Sequence, residues 1–371
     1  MAVIEGDPER RRWQWSTPDV PVRVANYEAV VRDRDLVAEL GLSFDLVVLD
    51  EAQRIKNRGS QTSQAVRAVV RGRSWALTGT PIENSAEDLV GIFEFVAPGT
   101  LAPRMNPRSM AAAVSDHVLR RTKERVLTDM PPRLNRDERI ELTAEQRETY
   151  RLAEEEGVLR LSDLGAQATI RHVFELVLRL KQICNFDTAT GESAKLERLA
   201  AELEEVRASG RKALVFSQWV ETLGRLREGL ARFGAIEYHG GMSTAARDEA
   251  IRLFRHDPRH SVMLLSYGAG AVGLNLQFSQ YVFLFDRWWN PAVEDQAINR
   301  AHRIGAAGAV TVTRFLAAET IEERIDEVLR QKRDLSDAIL SQTGQPATGG
   351  LTAAELFALF RLPPPRPAAA A

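Results

Sequence analysis

The chain has 371 residues, of which 44% are hydrophobic and 27% charged, with a formal net charge of -2. This balance predicts a globular protein of two domains or lobes, and it excludes the strongly basic overall field that would indicate a nucleic-acid partner. The single cysteine, Cys184, excludes an internal disulfide and a cysteine-rich zinc site, and no apolar run approaches the ~18 residues of a membrane span.

The first hundred residues contain two apolar runs that each end in a polar turn. Phe44–Leu49 is apolar apart from Asp45, which predicts a strand buried on both faces, and Asp50 and Glu51 follow it. Carboxylates at the end of such a strand lie where open α/β sheets bind ligands, so one could hold Mg²⁺ and the other orient a water. A second strand, Ser74–Leu77, precedes the turn Thr78–Pro81, which could also be an ordinary strand-to-helix loop.

Residues 85–193 are mostly helical in pattern and carry a basic cluster. Its members are Arg120, Arg121, Lys123, Arg125, Arg133, Arg136 and Arg139. One interpretation is a solvated face balanced by the acidic run Glu154–Glu156. At the other end of the chain, Thr352–Leu362 predicts a short amphipathic helix, and the sequence ending in PPPRPAAAA predicts a disordered tail.

The second half alternates short apolar runs with helical segments, which predicts a doubly wound parallel sheet. The runs are Lys212–Phe216, Ile236–His239, Val262–Leu265 and Tyr281–Phe285. Glycines follow the third run at Gly268, Gly270 and Gly273. Glycines at such a strand end let backbone N–H groups approach a phosphate or a nucleic-acid backbone.

Asp295–Gly305 predicts a helix that the chain enters through Pro291. Three polar residues fall on one face of it at i, i+4 and i+7, namely Gln296, Arg300 and Arg303. Guanidinium groups suit phosphate oxygens, and two on one face indicate a polyphosphate. The alternative is an exposed helix whose arginines pair with Glu294 and Asp295.

Taken in order, these segments resemble the motifs of the Snf2-type superfamily 2 ATPases. DEAQRIKN (50–57) and LTGTPIEN (77–84) resemble motifs II and III, KALVFSQW (212–219) motif IV, LLSYGAGAVGLNL (264–276) motif V, and DRWWNPAVEDQAINRAHRIG (286–305) motif VI with its lead-in. The resemblance runs from about Val22 to Leu340. It departs at Ala271, where a glycine is usual, and at Ala306, where a glutamine is usual.

The resemblance implies an α/β fold of two RecA-like parallel-sheet lobes with a helical insertion between them, and ATP and Mg²⁺ bound between the lobes. We expect lobe one in 1–100, the helical region in 101–193, lobe two in 194–340, and a short helix with a tail in 341–371. The chain has six lysines and none precedes Ser or Thr, so it lacks the phosphate-binding loop of motif I. The first lobe is therefore expected to be incomplete.

Residue roles follow from the resemblance. The implied catalytic residues are Asp50, which would also hold the metal, Glu51, Gln296, Arg300 and Arg303. The implied nucleotide-binding or coupling residues are Gln53, Thr78, Gly79, Thr80, Gly270 and Gly273. The implied nucleic-acid contacts are Arg54, Lys56, Asn57, Gln218, Trp219, Ser266, Asn275 and Trp288, and the basic cluster would lie near duplex DNA.

The resemblance thus predicts an ATPase that couples hydrolysis to translocation on duplex DNA, as in chromatin or nucleoprotein remodelling. Expected partners are duplex DNA and DNA-bound proteins, with no membrane partner. The expected location is the cytoplasm, with the nucleoid in a prokaryote or the nucleus in a eukaryote. Without motif I, we expect the chain to be inactive alone. The alternative is a non-catalytic nucleic-acid or partner-binding module that retains the helicase C-terminal lobe.

Overall fold

The computed structural model describes residues 1–78, 87–119, 130–270, 274–303, 305–306, 308–330 and 353–362. The described residues fall into two compact units, one formed by residues before 120 and the other by residues 130–330 with 353–362. None of the described helices is long and apolar enough to cross a membrane.

The first unit contains two small parallel sheets and short helices. Its strands are β1 (Ala2–Ile4) paired with β2 (Arg23–Ala25), and β3 (Ser43–Leu49) paired with β4 (Val70–Ala76). Its helices are α1 (Pro8–Ser16), α2 (Tyr27–Arg32), α3 (Arg34–Glu39), α4 (Gln61–Ala68), α5 (Glu87–Val96) and α6 (Pro107–Val114). Side-chain caps begin four of these helices, because Asp7, Asn26, Ser60 and Asn106 each accept a backbone N–H from the first turn.

The β3–β4 sheet is buried on one face only. Its inner face, with Leu49, packs against Ile92 and Phe95 of α5. On the outer face, Val48 is 46% exposed and its strand partner Trp75 is 59% exposed. The prediction that Phe44–Leu49 is buried on both faces is therefore wrong. The described helices cover only one side, so alternate side chains of an apolar run point to solvent.

The second unit is built on a six-stranded, all-parallel sheet with the order β5-β10-β9-β6-β8-β7. The strands are β5 (Arg133–Ile140), β6 (Ala213–Ser217), β7 (Ile236–Tyr238), β8 (Val262–Ser266), β9 (Tyr281–Leu284) and β10 (Val310–Ala317). The four predicted strands are confirmed as β6 to β9. The sheet also includes β10 and, from the region predicted to be mostly helical, β5. Charged side chains hide β5 in the sequence, as is common for an edge strand.

Helices cover this sheet and extend beside it. They are α7 (Ala144–Leu164), α8 (Ile170–Asn185), α9 (Ala194–Ala208), α10 (Val220–Gly229), α11 (Thr244–His256), α12 (Tyr267–Gly270), α13 (Pro291–Ile298) and α14 (Ala353–Ala358). Residues 321–330 are also helical. In α8, Val173, Val177, Leu180 and Cys184 recur at helical spacing, and all four are fully buried. Cys184 is thus a core residue, and burial raises the pKa of its thiol to about 12.

Candidate functional site

The first candidate site is the turn that follows β3. The backbone of Glu51 is left-handed, with φ 51° and ψ 51°. Two backbone hydrogen bonds tie this turn to the end of β4: the Leu77 N–H donates to the Leu49 carbonyl at 2.7 Å, and the Ala52 N–H donates to the Leu77 carbonyl at 2.9 Å. A left-handed glutamate stores roughly 1–3 kcal/mol of strain, so the surrounding structure must hold it in place.

Three predicted site residues meet here in one hydrogen-bond chain. Gln53 Nε2 donates to Glu51 Oε2 at 2.6 Å, and Thr78 Oγ1 donates to Gln53 Oε1 at 2.7 Å. The chain fixes the direction of the Glu51 carboxylate and connects it to the residue that follows β4. Gly79 and Thr80, which were predicted to act with Thr78, lie outside the described residues.

Tyr27 also supports this turn, although the sequence did not indicate it. Its hydroxyl donates to the Asp50 carbonyl at 2.8 Å, and burial raises the pKa of Tyr27 to about 12. The Arg54 guanidinium lies 4.7 Å from the centre of the Tyr27 ring and forms an ion pair with Glu28. Arg54, predicted to contact nucleic acid, is therefore engaged within the unit.

The two carboxylates of this turn are chemically suited to hold a magnesium ion. Asp50 is exposed, and its Oδ1 accepts the Glu51 N–H at 3.0 Å. Among the described residues, no group of three or more His, Cys, Asp or Glu is placed to hold a metal. Mg²⁺ usually takes one or two protein carboxylates and completes its shell with phosphates and water, so one or two carboxylates at an open strand end suffice.

The loop after the turn is packed tightly against α5. A Cβ at Gly91 would lie 2.0 Å from the Lys56 carbonyl oxygen, so only glycine allows this close approach of the helix. Asn57 Oδ1 accepts the Gly59 N–H at 3.1 Å. Lys56 and Asn57 remain predicted nucleic-acid contacts.

The second candidate site surrounds α13. This helix ends at Ile298, so the prediction of one continuous helix through Gly305 is wrong. The Arg300 N–H donates to the Ala297 carbonyl in a tighter turn, and the Arg300 carbonyl accepts the Leu276 N–H at 3.1 Å. A tertiary hydrogen bond thus takes the acceptor that the next helical turn would need. Gln296 lies on the helix, whereas Arg300 and Arg303 lie in the turns beyond it and do not share its face.

The residues around these arginines have distinct environments. Ala297 and Ala301 are buried and Arg300 is 9% exposed, whereas Arg303 is exposed. The predicted alternative had Glu294 and Asp295 pairing with these arginines. Instead, Glu294 binds Arg287 at 2.7 Å and Asp295 binds Arg133 at 2.9 Å. Both acids thus form their ion pairs with other arginines.

A buried polar network fixes the strand ends beside this site. Asp286, at the end of β9, accepts hydrogen bonds from Ser217 Oγ, the Gln218 N–H and Asn185 Nδ2. Lys181 Nζ donates to the Arg287 carbonyl at 2.7 Å, and burial lowers the pKa of Lys181 to about 8. Sequence reasoning missed this network, because charged residues in sequence carry no sign that they will be buried.

Lys195 and Glu322 extend the network in the second unit. They form an ion pair at 2.7 Å with both side chains fully buried. A second Lys195 hydrogen bond, to Asn185 Oδ1 at 3.2 Å, joins the pair to the Asp286 network. Helices α8 and α9, β9 and the helix 321–330 are thus connected by polar contacts in the core.

The other predicted contacts in this unit lie near the same strand ends. Gln218 Nε2 approaches the Arg287 carbonyl at 3.4 Å, and the Trp288 ring packs 5.4 Å from that of Tyr267. Trp219 is half-buried, with the Lys181 ammonium 5.5 Å from its ring. Ser266 Oγ accepts the Ala269 N–H, and Asn275 is exposed. Gly270 ends α12, and Gly273 lies outside the described residues.

The described part of the basic cluster is neutralised by acids. Arg133, Arg136 and Arg139, all on β5, bind Asp295, Glu138 and Glu323, respectively. These contacts favour the interpretation of a solvated, ion-paired face for β5. The predicted balancing acids, Glu154–Glu156, are not the ones used, since Glu154 pairs with Arg324 and Glu155 with Arg151. The four members at Arg120–Arg125 lie outside the described residues.

His302 has a structural role in the second unit. Its Nε2 lies 2.8 Å from the Pro131 carbonyl oxygen, which joins the turn after α13 to the start of β5.

The chain is similar to known proteins over most of its length. Residues 3–189 match the family described as SNF2-related domain, and residues 194–305 match the helicase conserved C-terminal domain. An uncharacterized ATP-dependent helicase of Mycoplasma genitalium is 33% identical over 316 residues, which cover 79% of this chain and 30% of that protein. The mouse SWI/SNF-related matrix-associated actin-dependent regulator of chromatin subfamily A member 1 is 30% identical and is covered to 34%.

Among solved structures, the Sulfolobus solfataricus SWI2/SNF2 ATPase core in complex with dsDNA is similar to this chain. It is 29% identical with a TM-score of 0.51, and the match covers 97% of this chain and 81% of that one. The chain spans about a third of the length of the curated relatives above. Together with the matched domains, these similarities show that the chain belongs to the SNF2-related family of helicase-like ATPases.

Proposed function

We propose that this protein acts as a DNA-dependent ATPase that couples ATP hydrolysis to translocation on duplex DNA during remodelling of nucleoprotein. The observation that carries the proposal is the Glu51–Gln53–Thr78 hydrogen-bond chain, which aims a carboxylate from the end of a parallel strand. A carboxylate aimed in this way suits the positioning of an attacking water. The names of the relatives, ATP-dependent helicases and a chromatin regulator, support the same reaction.

The proposed roles follow the chemistry of phosphoryl transfer. Asp50 would hold Mg²⁺, which neutralises phosphate charge when bound, and Glu51 would orient the water. Arg300 and Arg303 would stabilise charge on the transferring phosphoryl group, an effect worth ~10³–10⁵ in rate. The exposure of Arg303 supports this role, since its guanidinium can reach a ligand. Gln296, Gly270 and Gly273 would line the same nucleotide.

The phosphate-binding loop is the part of this machinery that the 371 residues do not contain. Its lysine and backbone N–H groups supply both ground-state binding and transition-state charge stabilisation. We therefore expect the 371-residue chain alone to release no phosphate from ATP above background. Activity should appear when a segment carrying the loop is supplied.

A phosphate-release assay with and without duplex DNA tests the proposal. It compares the 371-residue chain with the same chain joined to the loop-bearing segment of a curated relative. In the joined chain, Glu51→Gln should abolish DNA-stimulated turnover, whereas Asp45→Asn, at an exposed carboxylate on the strand before Glu51, should leave it unchanged. Equal turnover in the joined chain and its Glu51→Gln variant would contradict the assignment, and DNA-stimulated turnover by the 371 residues alone would contradict the need for the loop.

The proposed duplex-DNA partner is tested separately by fluorescence anisotropy over a series of salt concentrations. Contacts to phosphates release counterions, so log Kd should rise linearly with log salt concentration. An affinity that does not change with salt would exclude a phosphate-contacting duplex site. Binding without any ATPase activity in the joined chain would favour the alternative, a non-catalytic nucleic-acid-binding module.

A further inference from the structure

The entry to α13 contains a buried arginine that has no role in the reaction proposed above. Arg287 lies three residues beyond the end of β9, and only 5% of it is exposed. Its Nε donates to Glu294 Oε1 at 2.7 Å, and its Nη1 donates to Asp326 Oδ1 at 2.5 Å. Both acids are also buried, with exposed fractions of 1% and 7%. One guanidinium thus bridges two buried carboxylates, and these three residues are here named the Arg287 clamp.

The Arg287 clamp connects elements that are distant in the sequence. Glu294 belongs to the first turn of α13, whereas Asp326 belongs to the helix 321–330. The backbone of the arginine is fixed as well, because the Arg287 carbonyl accepts a hydrogen bond from Lys181 Nζ on α8 at 2.7 Å. The start of α13 is therefore attached through one side chain to the end of β9 and to the helix 321–330.

The charges of the clamp depend on one another. Burial opposes the charged form of Arg287, but attraction to Glu294 and Asp326 outweighs it and raises the pKa of the guanidinium above its ordinary value. Glu294 Oε1 also accepts the Trp288 N–H at 2.9 Å, whereas its buried Oε2 has no hydrogen-bond partner among the described residues. A buried carboxylate that loses its cation is strongly destabilised. Without Arg287, α13 would therefore have to move to bring Glu294 to water.

The far end of α13 leads into the arginines of the proposed reaction. The helix has eight residues, or about two turns, so it moves as one unit. The Arg300 N–H donates to the Ala297 carbonyl at 3.1 Å, which builds the turn containing Arg300 and Arg303 directly on the end of the helix. A displacement at Glu294 is therefore carried to both arginines.

We propose that Arg287 is a positioning residue, which holds α13 so that Arg300 and Arg303 reach the transferring phosphoryl group. The proposal rests on the function proposed above for those two arginines, and Arg287 acts through α13 instead of on the nucleotide. Position matters because a displacement of ~1 Å can cost ~10²-fold in rate. A lysine cannot replace Arg287, because a single ammonium lacks the planar fork that faces two carboxylates at once.

Hydrogen exchange of the 371-residue chain tests the clamp without any measurement of activity. Arg287→Met should accelerate exchange in α13 by ~10-fold or more, while β6 and β8 keep their wild-type rates. Arg287→Lys should not restore slow exchange. Arg330→Met is the matched control, because Arg330 is an exposed partner of Asp326 whose loss leaves Arg287 and Glu294 paired, so α13 should exchange as in the wild type.

Two exchange results would overturn the proposal. One is a wild-type rate in α13 of folded Arg287→Met, and the other is an equal acceleration in α13, β6 and β8, which would make Arg287 a general stabiliser of the core. If Arg287→Met does not fold, Glu294→Gln takes its place, since the amide retains an acceptor oxygen for Arg287 and removes only the charge. The same two results then decide.

Kinetics of the joined chain separate positioning from stability. Arg287→Met should lower the turnover number by ~10²-fold with a smaller change in the KM for ATP, and by a smaller factor when Arg303→Ala is already present. Equal factors in the two backgrounds would overturn the proposal. If the joined chain hydrolyses no ATP at all, the proposed function fails, and hydrogen exchange still decides whether Arg287 holds α13.

Discussion

Replacement of Gly91 by alanine should destabilise the first unit through a single contact. A helix interior normally gains ~1 kcal/mol when alanine replaces glycine. Here the added Cβ would lie 2.0 Å from the Lys56 carbonyl oxygen and 2.7 Å from its carbon. A backbone carbonyl cannot rotate away as a side chain can, so α5 must move by roughly 1 Å, and such overpacking costs ~1–3 kcal/mol or more. Because the partner is backbone, we take the upper end of that cost, ~3 kcal/mol, which leaves a net loss of about 2 kcal/mol after the ~1 kcal/mol gain.

Hydrogen exchange measured by mass spectrometry checks this expectation element by element. A loss of about 2 kcal/mol should accelerate exchange in β3 and β4 about thirtyfold, since each 1.4 kcal/mol is tenfold, while β6 and β8 in the second unit should not change. Gly59→Ala is the matched control, because its Cβ would meet only Asn57 Oδ1 at 3.6 Å. If Gly91→Ala exchanges like the wild type, the close approach of α5 to the loop is not real.

Three other outcomes are expected. In the joined chain, Arg303→Ala should lower the turnover number at saturating DNA by orders of magnitude and change the ATP affinity less, because such arginines act on the transition state. Steady-state kinetics measure both quantities. The pKa of Lys181 in the folded state, about 8, lies below its ordinary value of 10.5. Between these pH values the folded state binds fewer protons than the unfolded state, so Lys181 should make stability rise with pH above about 8. The urea midpoint should therefore rise more between pH 7.5 and pH 9 in the wild type than in Lys181→Met. Finally, native-state hydrogen exchange should be slower in β6, β8 and β9, which are almost entirely buried, than in β3 and β4, and equal protection would contradict the one-sided burial described above.

The sequence predicts the centre of the second sheet well and its edge poorly. The runs in β6 and β8 are apolar at nearly every position because both faces are covered, and that pattern is readable without a structure. The edge strand β5, with the sequence RLNRDERI, carries its charges toward solvent and toward ion pairs, so no apolar pattern reveals it. Edge strands are specified by their neighbours more than by their own residues.

The candidate sites show the same division. Glu51 and Gln53 lie only two positions apart in the sequence, and the pairing of β3 with β4 then brings Thr78 to them. The end of α13 could not be foreseen, since it depends on the Leu276 N–H, which lies more than twenty residues earlier. The support from Tyr27 is likewise a tertiary contact that no local pattern encodes. Amphipathic spacing predicts the helix at Thr352–Leu362, but the helices whose core it joins are distant in the sequence.

The left-handed backbone of Glu51 has a consequence for any directed-evolution experiment on this protein. Glycine adopts that backbone conformation without steric strain, so Glu51→Gly should relieve strain in the turn while deleting the carboxylate that Gln53 orients. A selection that scores only abundance or thermal tolerance would accept, and even enrich, a variant that has lost its proposed chemistry. At this position a substitution that favours folding removes the proposed catalytic group, so a library must be screened for both stability and activity.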